Sequence, residues 1–139
     1  MDIVRDPDCL FCKIVAGEVP SKRIYENEEI LVFHDVSPQA PFHALIIPKN
    51  HISTVNDFSE EQKSLAGNLF LTAKLVARDQ GFSVDGYRLV LNTNKDGGQV
   101  IFHVHIHLLA GRQLTWPPGY DDRSTRAPPF SQKNAAVLL

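Results

Sequence analysis

The chain has 139 residues and a mass of 15.6 kDa, enough for one domain with a real core and too little for two ordinary ones. Hydrophobic residues make up 43% and charged residues 22%, which argues against disorder over the whole length. With 14 basic against 16 acidic residues the formal net charge is −2, so the basic excess of a nucleic-acid binder is missing.

In chain order, residues 9–16 (Cys-Leu-Phe-Cys-Lys-Ile-Val-Ala) predict a short helix, stopped by Gly17 and Pro20, with Leu10 and Ile14 spaced for one face. Ile24 to Glu26 predicts a short strand and Ile30 to His34 a longer, β-branched one. Asp35 to Pro41 holds two prolines and predicts a loop, and His43 to Ile47 a further strand closed by Pro48. Ser59-Glu60-Glu61-Gln62 matches a capping box, and Leu65, Leu69, Ala73 and Val76 follow at helical spacing, so a long helix is expected over 59–80, ending at Gly81. Tyr87 to Thr93 and Ile101 to Leu109 predict two strands of a hairpin around the glycine-rich turn Asn94 to Gly98. The order predicts an antiparallel α+β domain over residues 1–119, with a weakly patterned tail over 120–139. No apolar run nears the roughly 18 residues of a transmembrane helix. The polar N-terminus lacks a signal-peptide core, and two cysteines make no disulfide framework, so a soluble, cytoplasmic protein is expected, with no membrane partner.

All six histidines fall within residues 34–51 or 103–107. His103-Val104-His105-Ile106-His107 alternates strictly, so on a strand the three imidazoles share one face and Val104, Ile106 and Leu108 the other. Three imidazoles are costly to bury without partners. A metal held by all three is awkward, because same-face neighbours on a strand lie roughly 6.6 Å apart. Nucleophilic catalysis by the middle imidazole suits the pattern better, since neutral imidazole attacks phosphorus and a neighbour can hold its tautomer. Asn94-Lys95-Asp96-Gly97-Gly98-Gln99 offers a phosphate cradle, although a hairpin turn uses glycines equally well.

Residues 103–109, His-Val-His-Ile-His-Leu-Leu, resemble the motif of the histidine triad (HIT) family. Asp35 to His43, Leu45 to Lys49 and Gly97-Gly98-Gln99 resemble its upstream signatures. Gly111-Arg112-Gln113 and Trp116-Pro117-Pro118-Gly119 resemble its HINT-like branch. The resemblance runs from about Cys9 to Gly119 and implies a HIT-like fold whose sheets join across a homodimer. It implies hydrolysis of purine nucleoside phosphoramidates through a nucleotidyl-histidine intermediate. His105 would be the nucleophile, His107 would contact the α-phosphate and leaving group, and His43 and His103 would support them. Asn92 and the backbone after Gly98, with Gln99 and Val100, would hold the phosphate, and Asp35 the ribose hydroxyls. Phe11, Ile14, Val19, Phe33 and Val36 would line the base pocket, His34 would be a further nucleotide contact, and Trp116 would serve the neighbouring protomer's site. From the residues alone, ordinary core is the favoured reading of Phe11, Ile14 and Phe33, and Asp35 before Ser-Pro also reads as a turn residue. Val100 stands where many HINT proteins carry serine. Dinucleoside polyphosphate hydrolysis and nucleotide-binding regulation are the rival functions.

Cys9-Leu10-Phe11-Cys12 is a C-x-x-C pair, whose spacing suits a shared zinc ion, a redox dithiol or two unlinked thiols. The resemblance implies a structural zinc held by Cys9, Cys12, His51 and His103, with no catalytic metal.

Overall fold

The computed structural model describes residues 3–119, so the predicted tail over 120–139 lies outside the described residues. One five-stranded antiparallel sheet runs β1 (Arg23–Glu26), β2 (Ile30–His34), β3 (Phe42–Pro48), β5 (Ile106–Ala110), β4 (Tyr87–Val90). Helix α1 (Leu10–Val15) packs on one face and the long helix α2 (Lys63–Asp79) on the other. Central strands β2 and β3 are near-continuous apolar runs, Ile-Leu-Val-Phe and Phe-His-Ala-Leu-Ile-Ile, because both their faces are covered.

Each face has its own core. Leu65, Leu69, Ala73 and Val76 of α2 close over Ile30, Val32, Ala44, Ile46, Val104, Ile106 and Leu108. On the other face Cys9, Phe11, Cys12 and Ile14 meet Leu31, Phe33, Leu45 and Ile47. Leu10 departs from expectation: it is 43% exposed, and the inward residues of α1 are Phe11, Cys12 and Ile14. The capping box at Ser59 and Gln62 is present, but it caps a 3-10 turn at Glu60–Gln62 from which α2 continues.

The two C-terminal strands are shorter than predicted. β4 stops at Val90, and the regular part of β5 starts at Ile106. The cause lies across the sheet at Pro48. Lys49 N–H turns to Glu29 O on the β2 side, so the preceding backbone position faces β5, and proline has no N–H to extend that ladder. Val104 instead donates its N–H to Ile52 O, and the Pro48 carbonyl accepts from the His103 ring. The alternation survives the lost pairing: Val104, Ile106 and Leu108 stay in the α2-side core, leaving the histidines for the other face.

Candidate active site and metal cluster

His105 sits where the extended segment enters β5. Its Nδ1 lies 2.7 Å from the His103 carbonyl oxygen, which only accepts, so the proton is on Nδ1 and Nε2 keeps a lone pair. Phe11 meets the ring edge-on at a centroid distance of 5.2 Å, and the His107 ring is 4.9 Å away. Burial pulls the His105 pKa below its ordinary value, with the His103 carbonyl and Asp35 opposing it more weakly. At neutral pH the group is therefore an uncharged imidazole, the form a nucleophile needs.

His43 and His107 face each other across β3 and β5, with His43 Nε2 2.9 Å from His107 Nδ1. Gln39 donates its backbone N–H to His43 Nδ1 at 3.0 Å, so the His43 proton is on Nε2. His43 therefore donates to His107, whose own proton is left on Nε2. Burial, then the neighbouring His105 and His43, holds His107 at about 4. Asp35, one residue past β2, places Oδ2 3.4 Å from His43 Nε2 while its Oδ1 accepts the Ser37 N–H at 2.7 Å. Asp35 is thus a turn residue, as its Ser37 N–H bond shows, and it also lies beside the histidine pair.

The other expected nucleotide contacts fall into three groups. Phe11, Ile14 and Phe33 are buried together in the α1-side core, with Val19 packed against it. His34, Asp35 and the 95% exposed Val36 line a cleft of about 610 Å³ with Pro20, Ser21 and Lys22. Sequence reasoning missed these last three residues, for they lie in an irregular stretch with no pattern to single them out. The larger cleft, about 750 Å³ along β4 with Arg88 and Arg112, is lined by none of the histidines. Asn92 follows β4, half-buried, with its backbone 3.7 Å from where a side chain at Gly97 would begin. Gly98 has φ 79°, as the end of the helical turn Asn94–Gly97 requires. The buried Gln99 spends its side chain on Asn94 N–H, Ser53 O and Ile101 O, so it holds the loop itself. Val100 and Trp116 are exposed.

The cysteine pair meets His51 and His103 in one cluster whose four donor atoms all lie within 4.8 Å of one another. His103 Nε2–H donates to Pro48 O at 2.8 Å, which leaves the Nδ1 lone pair facing Cys9 Sγ at 3.4 Å and Cys12 Sγ at 3.5 Å. His51 directs Nδ1 to Cys12 Sγ at 3.3 Å, with Nε2 against Ser53 Oγ. Zinc bonds of about 2.3 Å to sulfur and 2.05 Å to nitrogen put ligands about 3.5 Å apart on a tetrahedral edge, close to all three separations. Backbone N–H groups of Asp6 and Cys12 donate to Cys12 Sγ and Cys9 Sγ, as they do to metal-bound thiolates. The cluster can hold a metal ion.

Asp35, His43 and His107 also bring donor atoms within 4.8 Å. That trio suits a metal poorly, because the Gln39 N–H forces the His43 proton onto the nitrogen that would have to ligate. Hydrogen bonding separates the two groups: in the cysteine cluster Pro48 O draws the His103 proton outward and leaves Nδ1 free to ligate, whereas here the His43 proton is held on the inward nitrogen.

A family model for the HIT domain matches residues 16–114. An uncharacterised HIT-like protein of Synechococcus elongatus is 47% identical over 112 residues, 81% of this chain and 97% of that protein. The purine nucleoside phosphoramidase of Escherichia coli is 46% identical over 107 residues, 77% of this chain and 90% of its own. A HIT family hydrolase of Legionella pneumophila, solved by crystallography, superposes with a TM-score of 0.79 at 53% identity, covering 81% of this chain and all of that one. This chain belongs to the HIT family.

Proposed function

We propose that the protein hydrolyses purine nucleoside phosphoramidates of the adenosine 5′-monophosphoramidate type through a covalent nucleotidyl-His105 intermediate. At the coarser level the chain is a HIT-family hydrolase. The observation that carries the finer reading is the proton arrangement. His103 O takes the Nδ1 proton of His105 and frees Nε2, and His43 fixes His107 as an Nε2–H donor beside it. His105 Nε2 attacks the α-phosphorus as the bond to the amine breaks, and water then breaks the new P–N bond to release the nucleoside monophosphate. The departing amine takes one proton supplied by solvent past the His107 Nε2–H, and the water that cleaves the P–N bond gives one back, so the site ends as it began. Burial serves both steps, since a neutral ring attacks and fixed donors stabilise phosphate charge more strongly away from solvent.

The likeness to the Escherichia coli phosphoramidase supports this substrate class. In this reading Asp35 holds the ribose, and Phe33 and Val36 lie along the base. Asn92 and the backbone from Gly98 to Val100 hold the phosphate, and two copies of the chain pair with Trp116 near the neighbour's site. Cys9, Cys12, His51 and His103 hold a zinc ion whose chemistry is structural, because four protein ligands leave no open position. Steady-state turnover of adenosine 5′-monophosphoramidate against diadenosine tetraphosphate tests the substrate class, with His105→Ala as control. The phosphoramidate should be the better substrate, and the variant should lose nearly all turnover while still binding nucleotide. Preference for the dinucleotide, or more than a few per cent of activity in folded His105→Ala, overturns the reading.

A further inference from the structure

We propose that Asp35, besides any contact with substrate, is a positioning residue that locks His43 and through it His107 into the tautomers the site needs. The proposal rests on the functional reading above and deepens it. His43 Nε2 donates to His107 Nδ1 at 2.9 Å, and the Asp35 carboxylate stands beside the same nitrogen with Oδ2 at 3.4 Å. An ionised carboxylate accepts and never donates, so Asp35 disfavours a lone pair on His43 Nε2. Gln39 N–H makes the same demand from the far side of the ring by needing a lone pair on Nδ1. The His43 side chain is almost wholly buried, so no water competes for either nitrogen. Asp35 is itself held by the Ser37 N–H on Oδ1, which aims Oδ2 at the ring. The arrangement parallels the acid of a Ser-His-Asp triad, which orients an imidazole it never protonates.

Asp35→Asn separates this role from a grip on the ribose. The amide oxygen can still accept the Ser37 N–H, which preserves the turn and points the amide NH2 at His43. A donor then meets the Nε2–H, and neither tautomer of His43 satisfies both neighbours. Nitrogen-15 NMR of histidine-labelled protein at neutral pH reads the tautomers without substrate. Wild type should show single Nε2–H tautomers at His43 and His107, and Asp35→Asn a mixture. In parallel, kcat on adenosine 5′-monophosphoramidate and on its 2′,3′-dideoxy counterpart should both fall at least about tenfold in Asp35→Asn. A deficit confined to the substrate that carries ribose hydroxyls overturns the proposal. So do unchanged tautomers in the variant, or a wild type with His43 protonated on Nδ1. If wild type hydrolyses neither phosphoramidate the functional reading fails, and the tautomers alone decide the role of Asp35.

Discussion

Three histidines of one motif do three different things, and the partner of each ring decides which. His103 gives its Nε2 proton to a proline carbonyl and faces thiols, His105 gives its Nδ1 proton to the next carbonyl, and His107 receives one from His43. The alternation of the motif made the histidines legible as a set. The resemblance implied a separate role for each, but where their protons sit was not legible, because two partners are backbone groups of Pro48 and His103, and a third, the Gln39 N–H, acts at one remove through His43. Backbone groups carry no residue-type signal. The same partners set a pH dependence. Burial, with His105 and His43 close by and Asp35 only partly opposing, lowers His107 to about 4 against an ordinary 6.5. Between those values the unfolded chain binds a proton that the folded chain refuses, so stability falls as pH drops from 6.5 towards 4. Because His107 is only partly buried, the loss is on the order of 1–2 kcal/mol after allowing for solvent screening. Urea midpoints measured across that window should decline, and His107→Gln should make the decline shallower without removing it, because buried His103 is lowered to about 4 as well. An equal decline in the variant would assign the effect elsewhere.

At the scale of elements, the predicted strands and helices were found in order, and their ends were where reading failed. The apolar alternation of residues 101–109 is real, but a proline on the facing strand ends the ladder at Ile106. A single-strand pattern cannot report what its neighbour offers. In α1 the pair Leu10 and Ile14 pointed to one face, whereas Cys9 and Cys12 turn the helix so that Phe11, Cys12 and Ile14 go inward. Cys9 is both N-cap, its sulfur accepting from Cys12 N–H, and a member of the metal cluster. Phe11, carried between the cysteines, touches both His103 and His105. Cys9→Ser should therefore cut zinc content well below one per chain. It should also lower stability by about 2 kcal/mol or more, several degrees in melting temperature for a domain of this size. The chemical step should change less than the stability, since the His105 hydrogen bond is to backbone. Elemental analysis and thermal melts on protein purified without chelator or metal-affinity tag check this. A wild type that stays zinc-free after reconstitution would show the cluster to be four packed side chains and no more.

For the whole molecule the open question is what meets the two sheet edges. β1 is protected in the ways edge strands usually are: it is short, its register against β2 breaks between Arg23 and Tyr25, and Arg23 and Glu26 form an ion pair along it. β4 is equally short, but among the described residues it has neither a register break nor an ion pair along it. It pairs with β5 in unbroken register over four residues, and among the described residues no strand covers its other side. Apolar side chains are exposed elsewhere as well: Phe70 and Leu71 of α2 are 50% and 61% exposed, and Val100, Phe102 and Trp116 also face outward. A second copy joined along β4 would extend the sheet across both protomers and bury an edge that otherwise invites uncontrolled pairing. No helix of the described residues is long and apolar enough to cross a membrane. Light scattering at micromolar concentration should give about twice the chain mass of 15.6 kDa. Charge placed on the α2 surface by Leu71→Glu tests whether that exposure belongs to the same contact, in which case the variant should dissociate at concentrations where wild type is paired. A wild type that scatters as a monomer throughout the micromolar range refutes the pairing, and with it any role for Trp116 in a neighbour's site.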